Sequence, residues 1–506
     1  MNNQTKNSGQ AQQVILGSAN VLGGIIGSSI LGVFRSLIIA GGLGPSLYGI
    51  WNILMVIFSY NSFVHLGLMH GMNKEMPLLI GKGDVVQAEK IKDNTFWSVL
   101  IIAIIANIFL IIASFIFQDR FQKGIMIAIC ILAINNMLFQ LYIFLTSLLR
   151  TDKAFGVLGL ANILLSLMSL ACVILFFKFL SNKLYGALFA LLLGYLFVGI
   201  FIFYQMKYRI KLTLNLHLTI NIFKIGLPII IIQTGYILFT SIDRWMIAGV
   251  IDQINIGYYG IGLTIANFLF AGASTVAFTL YPFMIERFGE TNDEQQSEQL
   301  VYTPIIVLSY LMAVICTLMA LIAPLFITYV LPAYIPGINA SIILILGIYF
   351  ISIMTINSNF LISINKQNAM LYLQIAAITL SIVLNYVLIK NGLGIEGVAL
   401  GTATAYFLYS TGVMLLAFWN FSKSYKDLFL RIGKTYFPFM VCLVIYLFLK
   451  SVYGGTNSSF SEDLFATFIQ ILILFSISIL LILHLNKNTG IICILRDMIH
   501  ARLEAV

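Results

Sequence analysis

The fold is decided by the stretch at residues 20–51, NVLGGIIGSSILGVFRSLIIAGGLGPSLYGIW. It combines an apolar run long enough to cross a membrane, which takes roughly 20 residues, with the tripeptide Tyr48-Gly49-Ile50. This tripeptide returns as Tyr259-Gly260-Ile261, and other features of the first half return in the same order about 211 to 216 residues later. The sequence therefore predicts a membrane protein with an internal structural repeat.

The composition supports a chain that lies almost entirely in a membrane. Of its 506 residues, 60% are hydrophobic and only 9% are charged, whereas soluble domains contain about 25% charged residues. Apolar segments of spanning length number about fourteen. We predict an all-α, polytopic integral membrane protein whose spans start near Val14, Leu47, Phe96, Ile125, Val157, Ala187, Leu227, Tyr258, Pro304, Ile338, Ala369, Val398, Tyr436 and Leu464.

The repeat divides the chain into two pseudo-symmetric lobes of six helices each. We predict an N-terminal lobe at 1–206, a basic cytoplasmic linker at 207–226, a C-terminal lobe at 227–418, two additional transmembrane helices at 419–485, and a cytoplasmic tail with an amphipathic segment at 486–506. Transporters are built from such repeats, with the substrate site at the repeat interface, where it can be exposed to each side in turn. The duplication therefore favours transport.

The basic residues give the orientation in the membrane, because cytoplasmic loops carry the positive excess. With the N-terminus inside, about twenty of the 28 Lys and Arg residues fall on the cytoplasmic side and about six on the other side. Both termini are therefore expected in the cytoplasm. The formal net charge of +9 is explained by this topology, and no nucleic-acid partner is expected.

Enzyme motifs and metal-site spacings do not occur in the sequence. It contains no phosphate-binding P-loop, no HExxH and no GxSxG pattern, and its five cysteines lack CxxC spacing. The predicted loops on the outer side are short, which argues against an extracytoplasmic catalytic domain. We therefore predict no catalytic residue, no metal ligand and no enzymatic activity.

A few ionisable residues lie inside predicted spans, where an isolated charge costs about 2.5–3.5 kcal/mol. Arg35 lies in the first span, and Asp243 and Arg244 lie in the seventh, which is its repeat equivalent. Gln233 shares a helical face with them. A cavity lining, a salt bridge between lobes and contact with lipid headgroups all stay open for Arg35. His65, in the second span, is either a packing group or a ligand contact.

Two further spans carry polar stripes at helical spacing. Each stripe ends in a basic residue at the predicted cytoplasmic side: Asn136, Gln140, Ser147 and Arg150 in the fourth span, and Ser352, Thr355, Asn359, Ser363 and Lys366 in the tenth. The stripes indicate faces turned away from lipid. Arg150 and Lys366 could equally be ordinary anchors of the helix ends.

One run of residues near the N-terminus resembles a known family. Arg35 precedes the stretch at 43–51, LGPSLYGIW, and is followed by the stretch at 65–68, HLGL, by Lys74, and by the stretch at 81–84, GKGD. This pattern is similar to the N-terminal signature of polysaccharide flippases, which include O-antigen flippases. These are exporters of the multidrug/oligosaccharidyl-lipid/polysaccharide (MOP) superfamily, whose MATE-like fold contains a duplicated six-helix lobe.

The resemblance implies a V-shaped transporter that flips an undecaprenyl-diphosphate-linked oligosaccharide from the inner to the outer leaflet of a cell membrane for surface polysaccharide synthesis. A cationic set would attract the diphosphate: Arg35, Arg150, Arg244 and Lys366. A polar set would contact the sugars: Asn136, Gln140, Gln233 and Asn359. Besides membrane lipids and this substrate, a polysaccharide polymerase and other assembly proteins are candidate partners.

No cofactor is expected, and a coupling H⁺ or Na⁺ stays open. Asp243 is the candidate for ion coupling or for a salt bridge to Arg35 or Arg244. Alternatives within the superfamily are a peptidoglycan-precursor flippase and an ion-coupled multidrug exporter, although a cationic drug would favour acidic groups in the cavity. A membrane glycan polymerase or ligase, and a scaffold for glycan assembly, are the alternatives from other classes.

Overall fold

The computed structural model of this chain describes residues 2–116, 123–152, 154–206, 210–291, 298–364, 366–453 and 459–489. Within these ranges the backbone is helical apart from short turns, and no strand occurs. The predicted all-α class is therefore confirmed. Most of the predicted tail, from residue 490 onward, lies outside the described residues.

The chain divides into two compact units, one up to Gly257 and one from Tyr258 onward. Unit 1 contains α1 (Asn2–Asn61), α2 (Leu68–Gly81), α3 (Val85–Ile116), α4 (Lys123–Thr151), α5 (Phe155–Phe179), α6 (Lys183–Met206) and α7 (Leu216–Val250). Unit 2 contains most of α8 (Gln253–Thr291), then α9 (Glu298–Val330), α10 (Ile338–Ser363), α11 (Gln367–Leu388), α12 (Gly394–Trp419), α13 (Tyr425–Tyr453) and α14 (Phe460–Thr489).

The first helix contains a kink that separates the first two predicted spans. Gly44 has φ 69° and ψ 169°, a backbone conformation that favours glycine. Pro45 follows and has no N–H to donate to the preceding turn. The long helix therefore changes direction at Gly44, close to the predicted start of the second span.

The second predicted span is itself interrupted at residues 62–67. Leu66 and Gly67 both have positive φ, at 48° and 85°, so the helical hydrogen-bond pattern cannot continue through them. Helix α2 begins after this break, at Leu68. The break was not predicted from the sequence, and it governs the surroundings of several predicted site residues.

The number of membrane crossings agrees with the prediction. The described part of the chain contains twelve segments that are long and apolar enough to span a membrane. One of them, Gly23–Asn61, includes the kink at Gly44, and another, Gln367–Trp419, includes a π-helical turn at Ile389–Leu393 between α11 and α12. Counting each of these two segments as two crossings gives the predicted count of about fourteen.

Within unit 1, α7 packs along α1, α2 and α3. The backbones of α2 and α7 are in direct contact where Gly67 faces Gly226, because a Cβ on either glycine would collide with the other's backbone. Near its start, α7 is held by Asn94, whose Nδ2 donates to Thr219 Oγ1 over 2.9 Å and whose Oδ1 accepts from the backbone N–H of Asn215. Compact unit 1 thus includes α7, whereas the repeat boundary at 207–226 stays a prediction.

Within unit 2, α10 is the most buried helix and packs against α9 and α12. Of the two spans outside the repeat, α14 packs on α9, and α13 is attached to this core by aromatic and charged contacts. The Phe439 ring stacks on Tyr349 with 4.4 Å between centroids, and the Tyr349 hydroxyl donates to the Thr435 carbonyl. Arg431 forms ion pairs with Glu298 of α9 at 2.6 Å and with Asp427 at 3.1 Å.

The contact between α2 and α7 leads to a prediction about stability. We expect Gly226→Ala to lower the unfolding free energy by about 1–3 kcal/mol, the usual effect of overpacking, because the new Cβ meets the Gly67 carbonyl oxygen. The matched control is Gly32→Ala, since a Cβ at Gly32 meets nothing within 4 Å. Thermal unfolding of both variants in the same detergent measures the difference, and equal melting temperatures would contradict the close contact.

Candidate functional site

The predicted site residues fall into the two units. Unit 1 contains Arg35, His65, Asn136, Gln140, Arg150, Gln233, Asp243 and Arg244, and unit 2 contains Asn359 and Lys366. Their functional roles stay predictions. What the structure supplies is the surroundings of each side chain within its own unit.

Arg35 points into unit 1, between α1, α5 and α6. Its Nη1 donates to Ser169 Oγ over 2.9 Å, and the Ser169 hydroxyl in turn donates to the Ser166 carbonyl. The buried Nε has no hydrogen-bond partner. Tyr195 of α6 lies close enough to interact electrostatically. Arg35 is therefore a cation inside a membrane span whose hydrogen-bonding capacity is only partly used.

An aromatic cluster connects the surroundings of Arg35 with the middle of α4. The ring of Tyr195 lies 5.4 Å from Phe139, 5.7 Å from Tyr142 and 6.2 Å from Phe58, measured between centroids. The Tyr142 hydroxyl donates to Asn162 Oδ1 over 2.6 Å. Sequence reasoning missed this cluster because aromatic residues are common in membrane helices, and only their packing reveals that these four meet.

Asp243 and Arg244 lie next to each other near the end of α7. Asp243 is 1% exposed, and its Oδ1 lies 3.6 Å from Arg244 Nε and accepts a hydrogen bond from the Arg244 backbone N–H over 2.7 Å. Arg244 Nη2 also donates to the Thr240 carbonyl. The pair thus neutralises part of its own charge within a single helix. One turn earlier, Ser241 bonds the Tyr60 hydroxyl at 2.7 Å and ties α7 to α1.

The polar stripe of α4 faces neighbouring helices of unit 1. Fully buried Asn136 donates to Asn107 Oδ1 on α3 over 3.2 Å. Gln140 Nε2 donates to the backbone carbonyl of Asn61 over 2.9 Å and to that of Ser62 over 3.3 Å. These carbonyls lie at the end of α1, where the break interrupts the helical hydrogen bonds, and the Asn61 carbonyl also accepts the Val64 N–H over 3.1 Å. Gln140 therefore caps the interrupted span.

Gln140 also lines an apolar cavity of about 230 Å³ between α2, α3 and α4. The other lining side chains are apolar: Met69, Phe96, Val99, Leu100, Ala103, Met137, Leu138, Leu141 and Phe144. The Oε1 atom of Gln140 is buried and has no hydrogen-bond partner. The amide is thus satisfied on its nitrogen and unsatisfied on its oxygen.

Toward the end of α4, a polar cluster forms around Arg150. The guanidinium is exposed and donates from Nη2 to Ser147 Oγ over 3.5 Å. Asn73 of α2 donates to the same Oγ over 3.4 Å. His70 of α2 interacts electrostatically with Arg150 and lies within hydrogen-bonding reach of Gln233 on α7. Three helices thus contribute to one cluster.

The break in the second span positions His65 beside this cluster. His65 is 2% exposed, and its Nδ1 accepts the backbone N–H of Gly67 over 3.1 Å. Its ring packs edge-on against His70 with centroids 5.4 Å apart. Sequence reasoning missed His70 and Asn73, although their separation of three residues places both on one face of a helix.

In unit 2, the two predicted residues make contacts with neighbouring helices. Asn359 Nδ2 donates to the Ala277 carbonyl of α8 over 2.9 Å. Lys366 Nζ donates to Asn420 Oδ1 over 2.8 Å. Asn420 follows the last residue of α12, so Lys366 connects the start of α11 to the end of α12. Both residues therefore contribute to the packing of unit 2.

Comparison with known proteins gives a family and a fold. A family model described as "Polysaccharide biosynthesis protein" matches residues 38–334. No curated protein matches. An inward-facing multidrug resistance MATE transporter of the MOP superfamily is similar in structure, with a TM-score of 0.66, 15% identity, and coverage of 77% of this chain and 93% of that one.

Two further solved structures are similar over most of their length. An outward-facing MATE multidrug resistance transporter gives a TM-score of 0.59 at 17% identity, covering 80% of this chain and 94% of that one. A MOP superfamily transporter from Pyrococcus furiosus, whose reversed pocket polarity suggests a different function for it, gives 0.59 at 18%, covering 79% and 94%. The predicted MATE-like fold is therefore confirmed.

The capping by Gln140 leads to a second prediction. We expect Gln140→Leu to lower the unfolding free energy by about 1–3 kcal/mol, because the Ser62 carbonyl loses the amide donor and the Asn61 carbonyl keeps only the Val64 backbone N–H. The matched control is Gln205→Leu, at an exposed glutamine near the end of α6. Thermal unfolding in detergent measures both variants. A melting temperature for Gln140→Leu that equals the control's would show that the break does not depend on this side chain.

Proposed function

Because this chain belongs to the polysaccharide biosynthesis protein family, we propose that it flips a lipid-linked oligosaccharide, of the undecaprenyl-diphosphate type, from the inner to the outer leaflet. The resemblance of its N-terminal signature to polysaccharide flippases is confirmed by the family match. The fold is the one found in MOP superfamily transporters. The substrate and the direction of movement are the proposal.

The observation that carries this proposal is the state of Arg35. The side chain lies inside a membrane-spanning helix, its hydrogen-bonded side-chain partner is the neutral Ser169, and its Nε is buried without a partner. Among the described residues, no carboxylate forms an ion pair with it. Because an uncompensated cation in a membrane is costly, such a group fits a protein that binds an anion there.

A diphosphate carries the charge that this site requires. Arginine forms paired, charge-assisted hydrogen bonds with phosphate oxygens. We assign this role to Arg35, with Arg150 and Arg244 in support, within unit 1, and we propose phosphate binding by Lys366 within unit 2. The amides of Asn136, Gln140, Gln233 and Asn359 are proposed to contact sugar hydroxyls. The isoprenoid tail of the substrate would stay in the bilayer while the polar part moves, and the protein would act without enzymatic chemistry.

The same proposal includes a location and partners. The chain is a multi-pass membrane protein, and we place it in the cell membrane with both termini in the cytoplasm, where a lipid-linked glycan is made. A polysaccharide polymerase and other assembly proteins are the proposed partners. A peptidoglycan-precursor flippase would use the same positive charge to bind the diphosphate of its substrate, so only the transported glycan distinguishes that function from the proposed one. The fold also fits an ion-coupled multidrug exporter. Transport of a cationic drug by the protein in vesicles would indicate that function.

The anion role of Arg35 and Arg244 is tested in proteoliposomes that contain a fluorescent undecaprenyl-diphosphate-linked oligosaccharide. We expect the variant with both Arg35→Ala and Arg244→Ala to lose at least about 90% of flipping, because losing a charged hydrogen bond costs about 1.5–3 kcal/mol for each partner. The matched control is Lys178→Ala, an exposed cation at the end of α5. Flipping at the wild-type rate by the double variant would overturn the anion role.

Ion coupling is tested separately at Asp243. If its carboxylate binds the coupling H⁺ or Na⁺, we expect Asp243→Asn to abolish the stimulation of flipping by an ion gradient, because the neutral amide exchanges no proton and attracts Na⁺ weakly. The basal rate without a gradient serves as the internal reference. A gradient dependence equal to that of the wild type would exclude Asp243 as the coupling carboxylate.

A further inference from the structure

The cluster around Arg150 contains two side chains on one face of α2. His70 and Asn73 are three residues apart, which places them on the same side of the helix. The break at 62–67 sets where α2 begins, and the backbone contact of Gly71 with Ile222 of α7 places this stretch against its neighbour. The position of the α2 face that carries His70 and Asn73 is therefore set by the break and by backbone packing against α7, and not by contacts of these two side chains.

The hydroxyl of Ser147 joins Asn73 to Arg150. It accepts one N–H from Asn73 Nδ2 over 3.4 Å and one from Arg150 Nη2 over 3.5 Å. Arg150 Nε also donates to the Thr146 carbonyl over 3.3 Å. These two long hydrogen bonds from Arg150 use only part of the hydrogen-bonding capacity of the guanidinium, since the group carries five N–H donors. Most of its donors stay available to a ligand.

Two atoms beside this guanidinium are buried and have no partner. They are His70 Nε2 and Asn73 Oδ1. A buried polar atom without a hydrogen bond costs about 1–3 kcal/mol, so two of them next to an exposed arginine need an explanation. Their nearest charged neighbour on α4 is Arg150, and His65 contacts His70 from the break. A ligand with both an anionic group and a hydrogen-bond donor would satisfy all three side chains.

The chemistry of Asn73 determines which part of a ligand it can contact. Its Nδ2 is engaged with Ser147, and the free atom is a carbonyl oxygen, which only accepts hydrogen bonds. Phosphate oxygens without protons would be repelled by it. A sugar hydroxyl or an acetamido N–H can donate to it. Asn73 therefore suits the sugar side of a sugar–phosphate junction, and Arg150 suits the phosphate side.

Building on the proposed function, we propose that Asn73, His70 and Arg150 form a subsite for the junction between the diphosphate and the first sugar. Arg150 binds the phosphate that is linked to the sugar. Asn73 Oδ1 accepts a hydrogen bond from a hydroxyl or acetamido group of that sugar. His70 Nε2 contacts the same junction. The subsite thus distinguishes a glycan-bearing carrier from the bare carrier.

The test compares binding of two lipids by the full-length protein in nanodiscs. One is undecaprenyl diphosphate linked to a single N-acetylhexosamine, and the other is undecaprenyl diphosphate alone. We expect Asn73→Leu to weaken binding of the first about 3- to 10-fold, the effect of one lost hydrogen bond, and to leave the second unchanged. We expect Arg150→Ala to weaken both. His217→Ala and Lys224→Ala, which remove an exposed histidine and an exposed lysine of α7, are the matched controls.

A second variant keeps the test decisive if Asn73→Leu does not fold. Asn73→Asp has nearly the same shape and retains an acceptor, but its negative charge opposes the phosphate, so we expect it to weaken both lipids. Unchanged binding of both lipids by Asn73→Asp, or an equal loss of both in Asn73→Leu, would overturn the subsite. Wild-type protein that binds neither lipid would instead overturn the proposed function, so the two failures are distinguishable.

Discussion

A membrane-spanning helix that is interrupted must find new hydrogen-bond partners for its backbone, because hydrocarbon offers none. This constraint applies to the second span, where residues 62–67 leave the helical path. Gln140 on α4 meets it by donating to the carbonyls of Asn61 and Ser62. The capping fixes α4 against the break, and Asn136 one turn earlier and Ser147 two turns later consequently face α3 and α2.

The same break explains why α2 and α7 approach so closely. Gly67 has φ 85°, a conformation that favours glycine, and the absence of a side chain there lets the backbone of Gly226 come into contact. Small residues at a helix crossing allow such contacts in membranes, where the hydrophobic effect does not drive helices together. Gln233 of α7 is thereby brought within reach of His70. The polar cluster therefore depends on Gly67 and Gly226, which have no side chain to bind a ligand.

The sequence predicted what depends on local hydrophobicity and failed where packing decides. The number of spans agrees with the prediction, because the cost of placing residues in a membrane adds up along the chain. The starts are less accurate, since α3, α7 and α13 begin at Val85, Leu216 and Tyr425, before the predicted starts at Phe96, Leu227 and Tyr436. The stripe through Gln140 and Arg150 followed from helical spacing alone. The hydrogen-bond partners of this stripe could not be predicted, since they depend on the rotation of neighbouring helices. In the sequence at 62–67, only Gly67 indicates a break. Ser169, which accepts a hydrogen bond from Arg35, lies in an apolar run whose sequence does not indicate this contact.

Arg35 and Arg150 of unit 1 differ in a way that matters for binding an anion. Arg150 is exposed and held by long hydrogen bonds, so it can attract an anion at a distance. Arg35 is half-buried and its Nε is buried without a partner, so it attracts an anion more strongly at close range. Tyr142 interacts with Arg150, Tyr195 interacts with Arg35, and the two rings lie 5.7 Å apart. A neutral aromatic layer thus separates two like charges.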